Sequence, residues 1–485
     1  MVAGYQSVHL KKEILIRMVR AFFSDNFEEN TRLIPYDMRP KDAEVPYRCC
    51  IYKERAILKD RIIAGLGISI EDDDEKTLLS TYAKTALERE KPDEHVLTVL
   101  DAACKGCVPS RVFVTDLCQG CVARPCQSTC KFGAITIENG KSVIDGKKCK
   151  HCKMCIAVCP YNAIAEIKVP CEDACPVGAI RKNEHGTAQI DFEKCISCGK
   201  CVSKCPFAAV HEKSQLIDIM KHIKAEKQVV ALLAPSIVGQ LPGSVYQLKT
   251  ALMKGGFTDV YEVAEGADVT TLNEAKEFQE RMERGDAFMT TSCCAGYNQL
   301  VKKHVPELKP FVSDTKTPLY YIAEIARKKY PDAKLVFVSP CVAKRKEVQE
   351  NENVDFVMNF EELGAYLIGR KIDVLECEDS QFEKEASKQG RNFGVSGGVA
   401  AAVKKASTCE DCVNPCYING LDKQSVKKLQ RFAKNGQCDE GNLVEVMCCE
   451  GGCVGGNATL NTTRLALKQL AEFTKDGKDI EKIGE

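Results

Sequence analysis

The sequence has no tryptophan and no net charge: 68 Lys and Arg offset 68 Asp and Glu across 485 residues. That balance excludes a nucleic-acid binder held by bulk electrostatics. Long apolar runs are also missing. The longest, Val229 to Ala234, has six residues, far short of the roughly 18 that a bilayer span needs. The first 27 residues mix Lys11, Lys12, Glu13, Arg17 and Arg20 among their apolar positions. No secretory signal core is legible there, and a cytoplasmic location is expected. Disulfides are then not expected either. Yet cysteine is abundant, at 29, and thiols at ligand spacing in a reducing compartment point to metal.

Cysteine density divides the chain. Residues 1–97 hold only Cys49 and Cys50, which read as core thiols. Leu10, Ile14, Met18 and Phe22 fall at steps of four, one apolar stripe of a helix. Residues 47–66 and 75–90 are also helix-like, so this region reads as a mostly helical packing or partner-docking segment. Residues 98–165 and 166–212 form two copies of a two-part module. Its repeat is visible in the segments that start at Cys126, Cys155, Cys171 and Cys201. Residues 213–485 change character. Val229–Leu233 and Leu335–Val338 read as buried strands ending in Pro235 and Pro340, with helical stretches over 244–255, 271–284 and 317–329. The expected fold is α/β overall: α+β ferredoxin-like modules, then an α/β domain, after a helical N-terminal region.

Cys149-x2-Cys152-x2-Cys155-x3-Cys159-Pro and Cys195-x2-Cys198-x2-Cys201-x3-Cys205-Pro are bacterial ferredoxin runs. In such runs three thiolates cap one cubane and the fourth reaches its neighbour. A zinc ribbon needs two C-x2-C pairs instead. The fourth-cysteine rule groups Cys118, Cys121, Cys126 and Cys159; Cys149, Cys152, Cys155 and Cys130; and Cys195, Cys198, Cys201 and Cys175. Cys171 and Cys205 lack two partners, and Cys104-x2-Cys107 is the donor pair that completes a fourth [4Fe–4S] cluster. Such a relay moves single electrons, so the rest of the chain should supply a catalytic centre.

Three further knots carry that centre: Thr291-Ser292-Cys293-Cys294, Ser339-Pro340-Cys341-Val342-Ala343-Lys344, and Met447-Cys448-Cys449-Glu450-Gly451-Gly452-Cys453. In this order they resemble the signature motifs of the [FeFe] hydrogenases. The resemblance implies an H-cluster, in which a [4Fe–4S] cubane shares one thiolate with a di-iron azadithiolate unit carrying CO and cyanide. Cys294, Cys341 and Cys449 would hold the cubane, and Cys453 would bridge it to the di-iron unit. Lys344, Pro235 and Ser236 would contact cyanide, and Gly397-Gly398 would form a turn near the cofactor. Cys293, Glu274, Ser313 and Glu277 would carry protons to solvent. The implied reaction is the interconversion of H2 with protons and electrons, with a ferredoxin or flavodoxin-type carrier and di-iron maturation proteins as partners.

The motifs also depart from the family. Ala295-Gly296-Tyr297 follows the first pair, Ser339 replaces a usual Met, and Leu319 stands where a Gln is common. Cys448, Glu450 and Asn457 stand where Ala, Pro and Gly are usual. These departures resemble the branch called group B. A low-turnover sensory hydrogenase and a hydrogenase-like iron–sulfur assembly protein are the alternative functions. Cys409-x2-Cys412-x3-Cys416, with Cys438 downstream, lies outside the pattern. It reads as one more cluster, a zinc site or free thiols.

Overall fold

The structure is a computed structural model that describes residues 6–42, 49–104, 106–351, 353–475 and 477–481. Four N-terminal helices, Gln6–Phe22, Phe27–Met38, Ile51–Gly65 and Leu79–Glu88, match the expected helical segment. Ile14, Met18 and Phe22 are buried and Leu10 is partly so. Met18 and Phe22 of the stripe meet Gly65 and Phe27 within the bundle. Beside the stripe, Val19 packs on the helix Phe360–Gly369 of the C-terminal half, so closely that a Cβ on Gly369 would stand 2.6 Å from Val19 Cγ1. The N-terminal helices therefore cover the C-terminal sheet and share its core. Cys49 and Cys50 are not core thiols: Cys49 is exposed and Cys50 half-buried, because they lead into the exposed N-terminal end of Ile51–Gly65.

Each ferredoxin-like module is two short helices with antiparallel strand pairs. In the first, Arg111–Val114 pairs with Ile164–Ile167 and Ile135–Glu138 with Lys141–Ile144. In the second, Ile180–Lys182 pairs with Ala188–Ile190. Its other strand, Val210–Glu212, pairs with Leu97–Val99. The first module is thus threaded between the opening strand of the second and the rest of it, which carries Cys104 across to the second module.

The C-terminal half holds two parallel sheets. One has the order Asp259–Glu262, Val229–Leu233, Lys334–Val338, Phe356–Met358. The other has the order Met289–Thr290, Leu443–Met447, Pro415–Asn419. Val229–Leu233 and Leu443–Met447 are buried throughout, as expected for parallel strands covered on both faces. The first sheet runs from Val229–Leu233 outward to one side and then returns to the other, so its switch point lies between Val229–Leu233 and Lys334–Val338. Open α/β sheets bind ligands at that point, beyond the strand C-termini.

One buried ionic network ties the three parts together. Arg345 Nη2 donates to both Glu362 oxygens at 2.8 and 2.9 Å, and Nη1 lies 3.8 Å from Glu212. Lys11 Nζ reaches Glu212 at 2.6 Å and Glu361 at 2.5 Å. An N-terminal helix, a ferredoxin strand and the helix after Cys341 thus meet on shared charges. Among the described residues no helix is long and apolar enough to cross a membrane.

Candidate metal centre and its relay

Two strands from each sheet end at the same place. Val229–Leu233 delivers Pro235 and Ser236, and Lys334–Val338 delivers Cys341 and Lys344. Met289–Thr290 delivers Cys293 and Cys294, and Leu443–Met447 delivers Cys449 and Cys453. Pro235, Ser236, Cys293, Cys294, Cys341, Lys344 and Cys453 line one cavity, with about 660 Å³ of space outside protein atoms. Cys449 stands behind it, close enough to act on Cys341 and Cys453. Burial, and then the neighbouring thiols, push Cys453 up to about 12 and Cys341 well above an ordinary thiol. Crowded buried thiols are a poor setting for free thiolates and a good one for ligands of a positively charged core. Among the described residues no three His, Cys, Asp or Glu side chains close on a single-ion site.

The polar lining also fits a bound group. Ser236 is fully buried and its Oγ has no hydrogen-bond partner among the described residues. Lys344 is buried, and burial alone would drive off its proton. Glu347 outweighs this, accepting from Nζ at 2.8 and 2.6 Å, and the Lys344 pKa is raised. Thr317 Oγ1 donates to the same Glu347 at 2.9 Å. A cation is therefore held at the cavity wall.

Glu347 was not among the expected site residues, and its i, i+3 spacing from Lys344 is the signal that could have found it. Gly394, not Gly397 or Gly398, lines the cavity. The Gly397-Gly398 turn serves from behind. Gly397 has φ +91° and its N–H donates to Glu445 Oε1 at 2.5 Å, while a Cβ on Gly398 would stand 2.0 Å from Asn392 O. Buried Glu445 was likewise missed by sequence reasoning, since one carboxylate in a strand carries no spacing signal.

On the other side of Cys293 lies Glu274, fully buried, with neither carboxylate oxygen hydrogen-bonded among the described residues. Burial, and then the negative Glu277, push it up to about 8. Glu277 responds the opposite way. Burial pushes it up, but Thr315 Oγ1 at 2.6 Å, Asp314 N–H at 2.8 Å, Ser313 Oγ at 2.8 Å and Arg281 outweigh this and hold it low. Arg281 continues to Asp314, which is 95% exposed. The four expected residues are thus brought into one file from cavity to surface, with Thr315 as an addition.

The ferredoxin cysteines also converge as grouped. Cys118, Cys121, Cys126 and Cys159 line one small cleft. Cys130, Cys149, Cys152 and Cys155 line another. Cys201 sits among Cys198, Cys195 and Cys175, and Cys171 among Cys205, Cys104 and Cys107. The backbone repeats with them. Ala134, Ala163, Ala179 and Ala209 N–H groups donate to Cys130, Cys159, Cys175 and Cys205 Sγ at 3.4, 3.4, 3.2 and 3.3 Å. His151 and Ser197, at the same place in their runs, are both left-handed, with φ 53° and 55°. A non-glycine residue there costs about 1–2 kcal/mol, and its recurrence in both runs marks a turn required to aim thiols inward.

Residues 227–457 match the model of the iron only hydrogenase large subunit, C-terminal domain. Those residues belong to the iron-only hydrogenase large-subunit family. Residues 170–209 match a 4Fe-4S dicluster domain and 142–165 a 4Fe-4S binding domain. The hydrogenase-type chain is similar to iron hydrogenase 1 of Clostridium pasteurianum, 28% identical over 305 residues, covering 50% of this chain and 52% of that one. It is also similar to the periplasmic [Fe] hydrogenase large subunit of Nitratidesulfovibrio vulgaris, 29% identical over 304 residues, covering 50% and 72%. The chain spans about half the length of the Clostridium relative. A solved [FeFe]-hydrogenase from Chlamydomonas reinhardtii aligns with TM-score 0.45 at 20% identity, covering 54% of this chain and 90% of that one.

The remaining knot differs from expectation. Cys409 and Cys412 form a disulfide, although reduced thiols were expected. The single 3-10 turn Glu410–Cys412 brings their Cα atoms to 5.4 Å, within bridging range. Cys416 is buried beside Cys438, with its thiol 3.7 Å from Glu440. A three-cysteine cluster site at 409, 412 and 416 is therefore not assembled.

Proposed function

We propose that the chain is an [FeFe] hydrogenase that interconverts H2 with protons and electrons. Cys294, Cys341 and Cys449 would hold the H-cluster cubane and Cys453 would bridge it to the di-iron unit. That unit, when bound, supplies an open iron as Lewis acid and a bridgehead amine as base. Four [4Fe–4S] clusters on the sixteen ferredoxin-type cysteines would relay electrons to a ferredoxin or flavodoxin-type carrier. The departures at Ser339, Leu319 and Cys448 support a reading within the group B branch. The observation that carries this reading is the convergence of four cysteines, Lys344 and the unpartnered Ser236 hydroxyl on one cavity.

The chain's own residues perform three tasks. Lys344 presents a fixed positive charge and Ser236 a free donor, suited to anionic and polar ligands of the di-iron unit. Cys293 exchanges a proton between the cavity and Glu274. Ser313 passes it to Glu277, whose hydrogen bonds open to Asp314 and solvent. Burial of the lining excludes bulk water.

The test is infrared spectroscopy after maturation, with an H2 assay on the same sample. Carbonyl and cyanide bands with H2 turnover are expected. Cys293→Ser should keep the bands and lose nearly all turnover. A properly matured sample without those bands would falsify the assignment.

A further inference from the structure

The first ferredoxin-like module packs on itself. Its core of Val112, Cys126, Ile135, Cys155 and Ile164 is flanked by partly buried residues of the same module. The second module is gripped from both sides instead. Arg61 donates to the Phe207 carbonyl at 3.2 Å, and Lys303 donates to the Phe192 and Cys195 carbonyls at 2.8 Å. Charge also sets the first module apart. Between Cys107 and Val169 nine Lys and Arg meet four Asp and Glu, in a chain whose total is zero.

That excess gathers at one group of thiols. Lys131 follows Cys130, Lys147, Lys148 and Lys150 flank Cys149, and Lys153 follows Cys152; all five lysines are exposed. Among the described residues only Lys153 of these forms an ion pair, with Glu166 at 2.8 Å. Nearby carboxylates are turned away: Asp145 accepts from the Lys147 N–H at 2.8 Å, and Glu138 sits at the hairpin end opposite Lys141. Lys150 and Lys153 line the cleft of Cys130, Cys149, Cys152 and Cys155, beside Phe132 and Met154, which are 46% and 52% exposed. Cys152 is exposed, unlike every other cysteine assigned to a cluster.

Resting on the iron–sulfur reading above, we propose that this face is the docking surface for an acidic one-electron carrier protein. Phe132 and Met154 form its apolar centre, and Lys131, Lys147, Lys148 and Lys150 form its positive rim. A reduced carrier seated there gives one electron to the cluster behind Cys152. The carrier is oxidised, the cluster is reduced, and no bond forms or breaks. A patch of one charge raises the encounter rate with a partner of the opposite charge and orients it. Here the rim directs that partner to the one exposed ligand. A lipid surface or a nucleic acid would have no use for a cluster ligand at the centre of the patch.

The experiment is stopped-flow oxidation of a reduced acidic bacterial ferredoxin by full-length chain carrying its iron–sulfur clusters but no di-iron unit, at low and high ionic strength. Lys148→Glu with Lys150→Glu should slow the reaction about tenfold at low salt and remove most of its salt dependence. Iron content and the reaction with reduced methyl viologen should not change. The same charge change at exposed Lys427 and Lys434, on the helix Lys423–Asn435, should leave the ferredoxin rate unaltered. Equal ferredoxin rates in wild type and the Lys148 and Lys150 variant overturn the docking face and leave the iron–sulfur reading standing. So does an equal loss in the Lys427 and Lys434 variant, or a loss confined to binding of phosphatidylserine vesicles. If the glutamate pair loses iron, Lys148→Gln with Lys150→Gln is measured in its place; a smaller slowing is expected, and an unchanged rate overturns the face. A wild-type chain without [4Fe–4S] signals overturns the underlying reading and the face with it.

Discussion

Glu274→Gln isolates the group of the proton path whose acidity the fold moves into the working pH range. Glu274 is pushed up to about 8 from an ordinary 4.5, first by burial and then by the charge on Glu277. At pH 7 it is protonated by about ten to one, while Glu277, held low, is ionised. Moving a proton from the first to the second is uphill by at least about 5 kcal/mol, at 1.36 kcal/mol per unit. A step of that height runs no faster than on the order of 10⁹ s⁻¹. The sign for stability follows from linkage. Between pH 4.5 and about 8 the folded chain keeps a proton that the unfolded chain releases. Its contribution is full below 4.5 and is lost as pH rises to about 8, by up to about 5 kcal/mol. Gln has the same shape and no such proton. Turnover of the matured variant should fall about 10²–10⁴-fold. The infrared band of a neutral buried carboxylic acid, present in wild type and fading above about pH 8, should be missing. Wild-type turnover in Glu274→Gln, or a wild-type spectrum with no pH-dependent acid band, refutes the reasoning.

Two further outcomes test the architecture. Arg345→Met leaves buried Glu362 and Glu212 without their shared cation. It should cost about 3–5 kcal/mol, read as a lower urea midpoint with earlier proteolysis of the helices Gln6–Phe22 and Phe27–Met38; a cost below about 1 kcal/mol would count against the network. Cys409→Ser with Cys412→Ser should leave iron and zinc content unchanged, because the pair is bonded to itself; loss of about four iron atoms would show a cluster there instead.

The parts legible in the sequence are those in which spacing alone carries the geometry. Cys149-x2-Cys152-x2-Cys155 can be grouped unseen, because a short turn has few ways to aim three thiols at one point. The strands Val229–Leu233 and Lys334–Val338 were legible because parallel strands covered on both faces are continuous apolar runs. What stayed hidden depends on contacts between distant segments. The Leu10–Phe22 stripe announces a buried face, but not that its neighbours Lys11 and Val19 reach some 350 residues along the chain to Glu361 and Gly369. Glu445 and Thr315 gain their roles only from what folds against them. The Cys409–Cys412 bond was missed because an argument from compartment was applied to a pair whose local turn already sets bridging distance.

The doublet Cys293-Cys294 shows how one strand end separates two currents. Cys294 is in extended conformation, and successive side chains on extended backbone point to opposite sides. Cys294 accordingly meets the N–H of Cys448, toward the second ferredoxin module. Cys293 meets the field of Glu274, toward Ser313 and the exposed Asp314. Cys448 and Cys449, just past the end of Leu443–Met447, lie close to each other, and Cys449 also acts on Cys341 and Cys453. Electrons need short steps between cluster ligands, and protons need titratable groups in hydrogen-bond contact. One-residue alternation at Cys293-Cys294 sets the starts of the two routes on opposite sides of one strand end. A one-residue slip in either strand would exchange the faces, so the register of Met289–Thr290 against Leu443–Met447 is itself a functional feature.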